Sequence, residues 1–331
     1  MCTAVSFVTE DHYFGRNLDL EYSYQETITI TPRNYSFAFR KAENLNNHYA
    51  IIGMAYVVDG YPLYYDAVNE KGLAMAGLSF DGNACYYKEN LELENVAPFE
   101  LIPYLLGQCS SVDEAEELLT VVNVWKEPFS KDLPLSPLHW MISDARRSIV
   151  IETLKNGMRI YENPTGVLTN NPPFRYQLFG LNNYMSLSKE QPVNSFSENL
   201  PLKVYSKGMG AIGLPGDLSS SSRFIKGVFT KENSVCGNGE MESVSQFFHI
   251  LGAVEQQRGL VQLVKEHEDE HHDYEITIYS SCCNTNKGIY YYKTYDNSQI
   301  TAVDMYKENL DGQRLTSYPM LTGQQIRWQN R

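Results

Sequence analysis

Cys2 is the residue of this 331-residue chain whose position most directly suggests chemistry. It follows Met1, and methionine aminopeptidase removes methionine ahead of a small residue such as cysteine. Cys2 would then carry a free α-amino group, whose reference pKa of about 7.7–8.0 allows it to take the thiol proton near neutral pH. One residue would supply both nucleophile and general base. A chance cysteine in a frayed terminus is the alternative, but residues 3–8 are typical of a strand that would hold Cys2 in a sheet.

Four polar side chains elsewhere in the sequence could assist such a nucleophile. In the segment 14–19 (FGRNLD), Arg16 could lower the pKa of a nearby thiol and Asp19 could hold the α-amino group, although such a pair is more often a surface ion pair. Asn170 follows a predicted strand and precedes two prolines, so its amide could serve as an oxyanion donor or simply form a turn. Arg223 follows four serines that could begin a helix, with its side chain turned inward or solvated.

Two motif matches lack the surroundings that their chemistry requires. The residues HEDEH at 267–271 match HExxH, but they lie in a wholly polar run, which predicts a solvated loop rather than a zinc site. The residues GMGAIG at 208–213 match GxGxxG, but Pro215 and Gly216 would break the helix that a dinucleotide fold needs there. The sequence therefore predicts no metal site and no nucleotide cofactor.

Predicted strands and helices alternate in blocks along the chain. Ser111 and Glu114 fit a capping box ahead of an apolar helical stripe. The strands, inferred from β-branched and aromatic runs between turns, are 3–8, 27–30, 49–57, 73–79, 138–143, 148–153, 166–169, 274–279, 288–294 and 299–304. Further helices are predicted at 174–184, 221–230 and 243–254. This order favours two sheets with helices packed outside them, in a single domain over residues 1–331.

Composition narrows the class of protein. Hydrophobic residues make up 43% and charged residues 20%, a normal globular balance, and no apolar run approaches the ~18 residues of a membrane span. The net charge of −13 disfavours nucleic-acid binding, because phosphate affinity requires clustered Lys and Arg. The first residues lack the pattern of a secretory signal, and the six cysteines include no CxxC pair, so a cytoplasmic protein with free thiols is expected.

Motifs in a fixed order along almost the whole chain together resemble the choloylglycine hydrolase family, which contains bile salt hydrolases and penicillin V acylases. They are MCT at 1–3, FGRNLD at 14–19, NEKGL at 69–73, GL at 77–78, LHWM at 138–141, LTN at 168–170, GLPGD at 213–217 and SRF at 222–224. The resemblance implies an α+β fold, the four-layer αββα Ntn-hydrolase sandwich of two mainly antiparallel sheets. It also implies a homotetramer and no cofactor.

The same resemblance assigns roles to the candidate residues. Cys2 would be the nucleophile, with its own α-amino group as the base. Arg16 and Asp19 would tune and position it, Asn170 would be the oxyanion donor and Arg223 would support the site electrostatically.

The substrate implied is a conjugated bile salt, whose sterol would lie against apolar side chains at the pocket mouth. Candidates are the stretches 56–65 and 125–134, Leu18, Tyr22, Tyr24 and Tyr65. The loop 206–210 could contact the glycine or taurine end of the substrate.

Ser79 departs from the family pattern at the oxyanion and acyl site, where bile salt hydrolases usually carry Asn and penicillin V acylases Tyr. A Ser hydroxyl can donate a hydrogen bond but reaches less far than an Asn amide. Penicillin V acylase or a related N-acyl amidase is therefore the alternative function. A binding protein that kept the fold and lost catalysis is a third hypothesis, against which the intact set of catalytic candidates argues.

Overall fold

The computed structural model describes residues 1–263 and 274–330. The strands in these ranges are β1 Cys2–Val8, β2 His12–Leu20, β3 Thr27–Thr31, β4 Ile51–Val58, β5 Tyr61–Asn69, β6 Ala74–Ser79, β7 Glu94–Val96, β8 Val122–Val124, β9 Leu138–Ser143, β10 Ser148–Leu154, β11 Gly157–Glu162, β12 Val167–Leu168, β13 Ile276–Asn284, β14 Ile289–Thr294, β15 Asn297–Asp304 and β16 Thr316–Pro319. The α-helices are α1 Leu101–Gln108, α2 Val112–Leu119, α3 Phe174–Gly180, α4 Ser220–Asn233 and α5 Glu240–Gly252.

Two large sheets form the centre of the structure. One has six strands in the order β12-β1-β2-β13-β14-β15, and the other has eight in the order β11-β10-β9-β6-β5-β4-β3-β16. The described neighbours within both sheets pair antiparallel, whereas β7 and β8 pair parallel in a separate two-stranded sheet. The prediction of two mainly antiparallel sheets is therefore confirmed.

Helices cover the outer faces of both sheets. The six-stranded sheet packs against α4 and α5, and the eight-stranded sheet against α1. One apolar core cluster joins α1 and α2 to the eight-stranded sheet, and the other lies between the two sheets and under α4 and α5. The layers thus follow the predicted order α, β, β, α, and the β1–β2 ladder that begins at Cys2 lies inside this sandwich.

Several elements escaped prediction for physical reasons. The strand β2 contains Arg16 and Asp19, which are fully buried, so its sequence lacks the usual alternation of apolar and polar residues. The helix α1 is buried over seven of its eight residues and therefore shows no amphipathic period. The strand β5 overlaps the stretch 56–65, whose apolar residues indicated a loop at the pocket mouth and not a strand.

The capping box ahead of α2 is only half as predicted. The Ser111 hydroxyl accepts a hydrogen bond from the Glu114 N–H at 3.2 Å, as expected. The Glu114 carboxylate, however, accepts from the N–H of Ser110 at 2.6 Å and not from that of Ser111. The side chain reaches one residue further back, so the reciprocal half of the prediction was wrong.

The two motif matches have different outcomes. Residues 267–271 lie outside the described part of the chain. In the other motif, Met209–Ala211 forms a single 3-10 turn, and no α-helix begins there. Among residues 1–263 and 274–330 no cluster of three or more His, Cys, Asp or Glu side chains could hold a metal ion. No helix in these ranges is both long and apolar enough to cross a membrane.

Candidate active site

Cys2 begins β1 inside the sandwich, and its residue surface is only 3% exposed. Its N–H donates a 2.8 Å hydrogen bond to Oδ1 of Asn170, and its carbonyl accepts one of 2.6 Å from Nη1 of Arg223. Residues far apart in the sequence therefore fix the main chain of Cys2 from both ends.

Met1 extends the β1–β2 ladder by one residue. Its ammonium donates to the Asp19 carbonyl at 2.8 Å, and the N–H of Asp19 donates to the Met1 carbonyl at 2.9 Å. The ammonium is also paired with the Glu275 carboxylate. The unprocessed terminus is thus held in the sheet, with the amide nitrogen of Cys2 still acylated by Met1.

The Asp19 carboxylate is fully buried behind Cys2. Its Oδ1 accepts a 2.6 Å hydrogen bond from the Thr277 hydroxyl, and its Oδ2 lies 3.4 Å from Nε2 of Gln256 and 3.8 Å from Nη1 of Arg223. Burial raises the pKa of Asp19, whereas the Arg223 charge and the Thr277 hydrogen bond act in the opposite direction. Sequence reasoning missed Thr277 and Gln256, since neither belongs to a recognisable motif.

The Arg16 guanidinium is buried on the other side of Cys2. Its Nη1 donates to the carbonyls of Tyr65 at 3.0 Å and Gly77 at 2.5 Å, while its Nη2 has no hydrogen-bond partner among the described residues. Burial alone would lower the pKa of Arg16, but the negative forms of Cys2 and Asp66 outweigh that effect and raise it. A permanent cation therefore faces the thiol.

Asn170 and Arg223 form a buried pair beside the nucleophile. Nη2 of Arg223 donates to Oδ1 of Asn170 at 2.7 Å, and Nδ2 of Asn170 donates to the carbonyl of Ser79 at 2.8 Å. An amide nitrogen carries two hydrogens, so the second hydrogen of Nδ2 is left for a ligand. Burial lowers the pKa of Arg223, and the nearby charge of Asp19 opposes this shift.

Ser79 ends β6 and lines the cavity next to Cys2. Its carbonyl is occupied by Asn170, whereas its hydroxyl has no partner among the described residues. The side chain is therefore available to a ligand, and the link from this position to Asn170 runs through the backbone.

A cavity of about 550 Å³ adjoins Cys2 and contains all four predicted pocket residues, Leu18, Tyr22, Tyr24 and Tyr65. The stretches 56–65 and 125–134 also contribute, as predicted. The apolar lining residues include Leu20, Tyr56, Leu63, Tyr64, Phe99, Ile102, Phe129, Leu133, Pro134, Leu135, Leu138 and Trp140, and the charged ones are Arg16, Asp81, Glu127 and Asp132. The loop 206–210 does not line the cavity.

Three aromatic rings that tilt against one another form part of the wall at the mouth of the cavity. The hydroxyls of Tyr22 and Tyr24 are 3.0 Å apart and their ring centroids 4.9 Å apart, and the ring of Tyr56 lies 6.0 Å from that of Tyr24. Asp19, Asn170 and Arg223 are not part of the lining, but Nδ2 of Asn170 contacts the carbonyl of Ser79, which does line the cavity. Substrate would thus meet a largely apolar wall, the thiol and Arg16, next to the Asn170 amide.

Residues 2–318 match the model of the choloylglycine hydrolase family, described as linear amide C–N hydrolases. A bile salt hydrolase/transferase of Lactiplantibacillus plantarum is 57% identical over 320 residues, which cover 97% of each chain. A bile salt hydrolase/transferase of Clostridium perfringens is 39% identical over 323 residues, 96% of each chain.

Solved structures agree with these relationships. A variant of conjugated bile acid hydrolase from Clostridium perfringens superimposes with a TM-score of 0.90 at 38% identity, covering 100% of both chains. Penicillin V acylase from Agrobacterium tumefaciens gives a TM-score of 0.70 at 19% identity, over 96% of this chain and 90% of that one, and so shows the fold alone. The predicted Ntn-hydrolase fold is confirmed.

Proposed function

We infer that this protein, which belongs to the choloylglycine hydrolase family of linear amide C–N hydrolases, cleaves the amide bond of glycine- and taurine-conjugated bile salts. The observation that carries this inference is the cavity of about 550 Å³ beside Cys2, whose walls are mainly aromatic and aliphatic. A rigid sterol requires such a surface. The names of the relatives that are 57% and 39% identical support the same substrate class.

The reaction begins on Cys2 after Met1 has been removed. The α-amino group takes the thiol proton, the thiolate attacks the amide carbonyl, and the protonated amine passes that proton to the departing nitrogen. Water then hydrolyses the acyl-enzyme. Oδ1 of Asn170, which is 2.8 Å from the Cys2 nitrogen, can only accept a hydrogen bond and therefore orients that amine through one of its N–H groups.

The buried charges around Cys2 stabilise the reacting state. Arg16 and Arg223 place two buried positive charges near Cys2, and both are attracted to a negative charge on its sulfur. The free hydrogen of Asn170 Nδ2 is assigned to the oxyanion of the tetrahedral intermediate. The Asp19 carboxylate balances the charge of Arg223 and is itself held by the Thr277 hydroxyl.

We also propose that the protein acts as a homotetramer in the cytoplasm, with residues 1–331 forming a single domain. The segment 176–212 exposes apolar side chains of the kind that subunit contacts cover, among them Phe179, Met185, Val193, Phe196, Tyr205 and Ile212. All six cysteines are free, which suits a reducing compartment.

The deciding experiment compares kcat/KM for glycocholate, taurocholate and penicillin V on protein whose lack of Met1 has been established by intact mass. We expect a bile salt to be the best of the three substrates, and Cys2→Ala to abolish its turnover. If penicillin V is preferred, the alternative of a penicillin V acylase or related N-acyl amidase, which the loss of the family Asn at Ser79 favours, replaces the bile-salt assignment. Binding without turnover in the processed protein would instead support a non-catalytic relative.

A further inference from the structure

The main chain at Asn170 is held by three side chains that belong to different elements. Nε2 of His139 lies 2.9 Å from the carbonyl of Thr169, Nε2 of Gln177 donates to the carbonyl of Asn170 at 2.6 Å, and the hydroxyl of Ser220 accepts from the N–H of Asn170 at 2.8 Å. Because a carbonyl only accepts, Nε2 of His139 must carry a hydrogen. The orientation of the Asn170 amide therefore depends on these contacts.

His139 itself is rigidly packed. Its side chain is fully buried on β9, and its ring stacks on Phe80 with centroids 4.3 Å apart and an interplanar angle of 6°. Its Nδ1 lies 3.4 Å from Oε1 of Glu152, which is fully buried on the adjacent strand β10. The imidazole is thus fixed in its plane by stacking and along its edge by two polar contacts.

Glu152 connects this histidine to α3. The same Oε1 accepts a 2.7 Å hydrogen bond from the N–H of Phe174, the first residue of α3, and its Oε2 has no partner among the described residues. One buried carboxylate therefore contacts His139 directly and the first residue of the helix that carries Gln177. Such a carboxylate is costly to bury and is therefore not explained by packing alone.

We propose that His139 is the residue that positions the amide of Asn170 for oxyanion stabilisation, and that Glu152 fixes the His139 ring in the donating orientation. His139 does not line the cavity and acts only through the Thr169–Asn170 main chain. A displacement of about 1 Å in a catalytic group can cost a hundredfold in rate. The effect should therefore fall on kcat and leave substrate binding almost unchanged. The inference rests on the proposed function, because it needs a reaction that passes through an oxyanion.

His139→Leu and His139→Gln test the proposal, with bile-salt hydrolysis as the readout. Leucine removes the hydrogen bond to Thr169, so we expect kcat to fall about 10- to 100-fold with KM changed less than about threefold. Glutamine retains an amide N–H and should recover most of the loss. His12→Gln is the matched control, because His12 is also buried and bonded to hydroxyls but does not contact Asn170. It should change stability and not kcat.

A double-mutant cycle with Asn170→Ala separates positioning from general damage. If His139 acts through Asn170, its substitution should have little further effect on kcat in the Asn170→Ala background. An equal fold-loss in both backgrounds, or an unchanged kcat in His139→Leu, would overturn the proposal. Should His139→Leu not fold, the isosteric Glu152→Gln enters the same cycle under the same criteria. Failure of wild-type turnover would refute the proposed function instead, so the two failures are distinguishable.

Discussion

The main-chain nitrogen of Cys2 donates a 2.8 Å hydrogen bond to Oδ1 of Asn170, although 168 positions separate them in the sequence. The same oxygen accepts from Arg223 at 2.7 Å, so its lone pairs are committed to these two donors. In the proposed mechanism, the nitrogen that becomes the base is therefore oriented before Met1 is removed. One amide would then hold the base with its oxygen and offer its nitrogen to the substrate oxyanion.

Substitution of Asn170 should separate these two effects. Asn170→Ala loses both, and we expect kcat to fall about 10²- to 10³-fold with little change in KM. Asn170→Asp keeps an acceptor for the amine but adds a negative charge, which raises the pKa of the α-amino group and moves the acid limb of the kcat profile to higher pH. Steady-state kinetics across pH measures the fall in kcat of Asn170→Ala and the shift of the acid limb in Asn170→Asp. Asn171→Ala is the control, because Asn171 contacts Asp81 and not Cys2; a similar loss there would contradict the assignment.

Retention of Met1 should abolish activity. With Met1 in place the Cys2 nitrogen is an amide and cannot take the thiol proton, and the ladder contacts of Met1 with Asp19 leave it no freedom to move aside. We also expect the folded precursor to resist methionine aminopeptidase, because Cys2, Thr3 and Ala4 are buried. Precursor made with the aminopeptidase inhibited can be treated with methionine aminopeptidase in the native and in the denatured state. Intact mass then measures the loss of Met1 in each.

The control for this prediction is Glu275→Gln, which removes the charge that holds the Met1 ammonium. This variant should release Met1 faster than the unmodified precursor does. Full activity in protein whose mass shows Met1 still attached would refute the α-amine as base.

Ser79→Asn should improve hydrolysis of conjugated bile salts. The Ser79 hydroxyl has no partner among the described residues and lines the cavity beside Cys2, so a longer amide can reach the substrate and donate to it. We expect kcat/KM for glycocholate to rise several-fold relative to penicillin V, consistent with a net hydrogen bond of about 1 kcal/mol. Ser79→Ala should have a smaller effect, because the contact with Asn170 uses the backbone carbonyl. A fall in bile-salt activity for Ser79→Asn would show that this pocket is built for a small residue.

How far the sequence predicts this molecule depends on the kind of signal. Runs of β-branched and aromatic residues between turns located most strands, and the helices α2, α3, α4 and α5 were also predicted. The almost entirely buried α1 and the strand β2, with its buried charges, gave no such pattern. Arg16 and Asp19 were found because they belong to a motif, and the same residues concealed the strand that carries them.

The candidate site shows the same division. Cys2, Asn170 and Arg223 stand in recognisable segments, and the structure brings them within hydrogen-bond distance. Thr277, Gln256 and Glu275 contact Asp19 or Met1 through tertiary packing, and no local pattern distinguishes them from ordinary polar residues. Contact residues of this second kind can be identified only from the three-dimensional structure.

Protonation of His12 should make stability fall in acid. Burial lowers the pKa of His12 to about 4, while the unfolded value is near 6.5; the charge of Asp144 opposes the shift only partly. Between these values the unfolded chain binds a proton that the folded protein does not, so the free energy of unfolding decreases as the pH falls from about 6.5 to about 4.

The full shift corresponds to roughly 3 kcal/mol. Urea unfolding at several pH values should therefore show wild type losing about that much more than His12→Gln on going from pH 7 to pH 4. The comparison with the variant matters because buried carboxyls such as Asp19 and Asp66, whose pKa values are raised by burial, titrate in both proteins alike. Parallel curves for the two proteins would contradict this prediction, because His12 would then have the same pKa in the folded and the unfolded protein. Its hydroxyl partners Ser6 and Thr285 carry no charge that would stabilise a buried imidazolium.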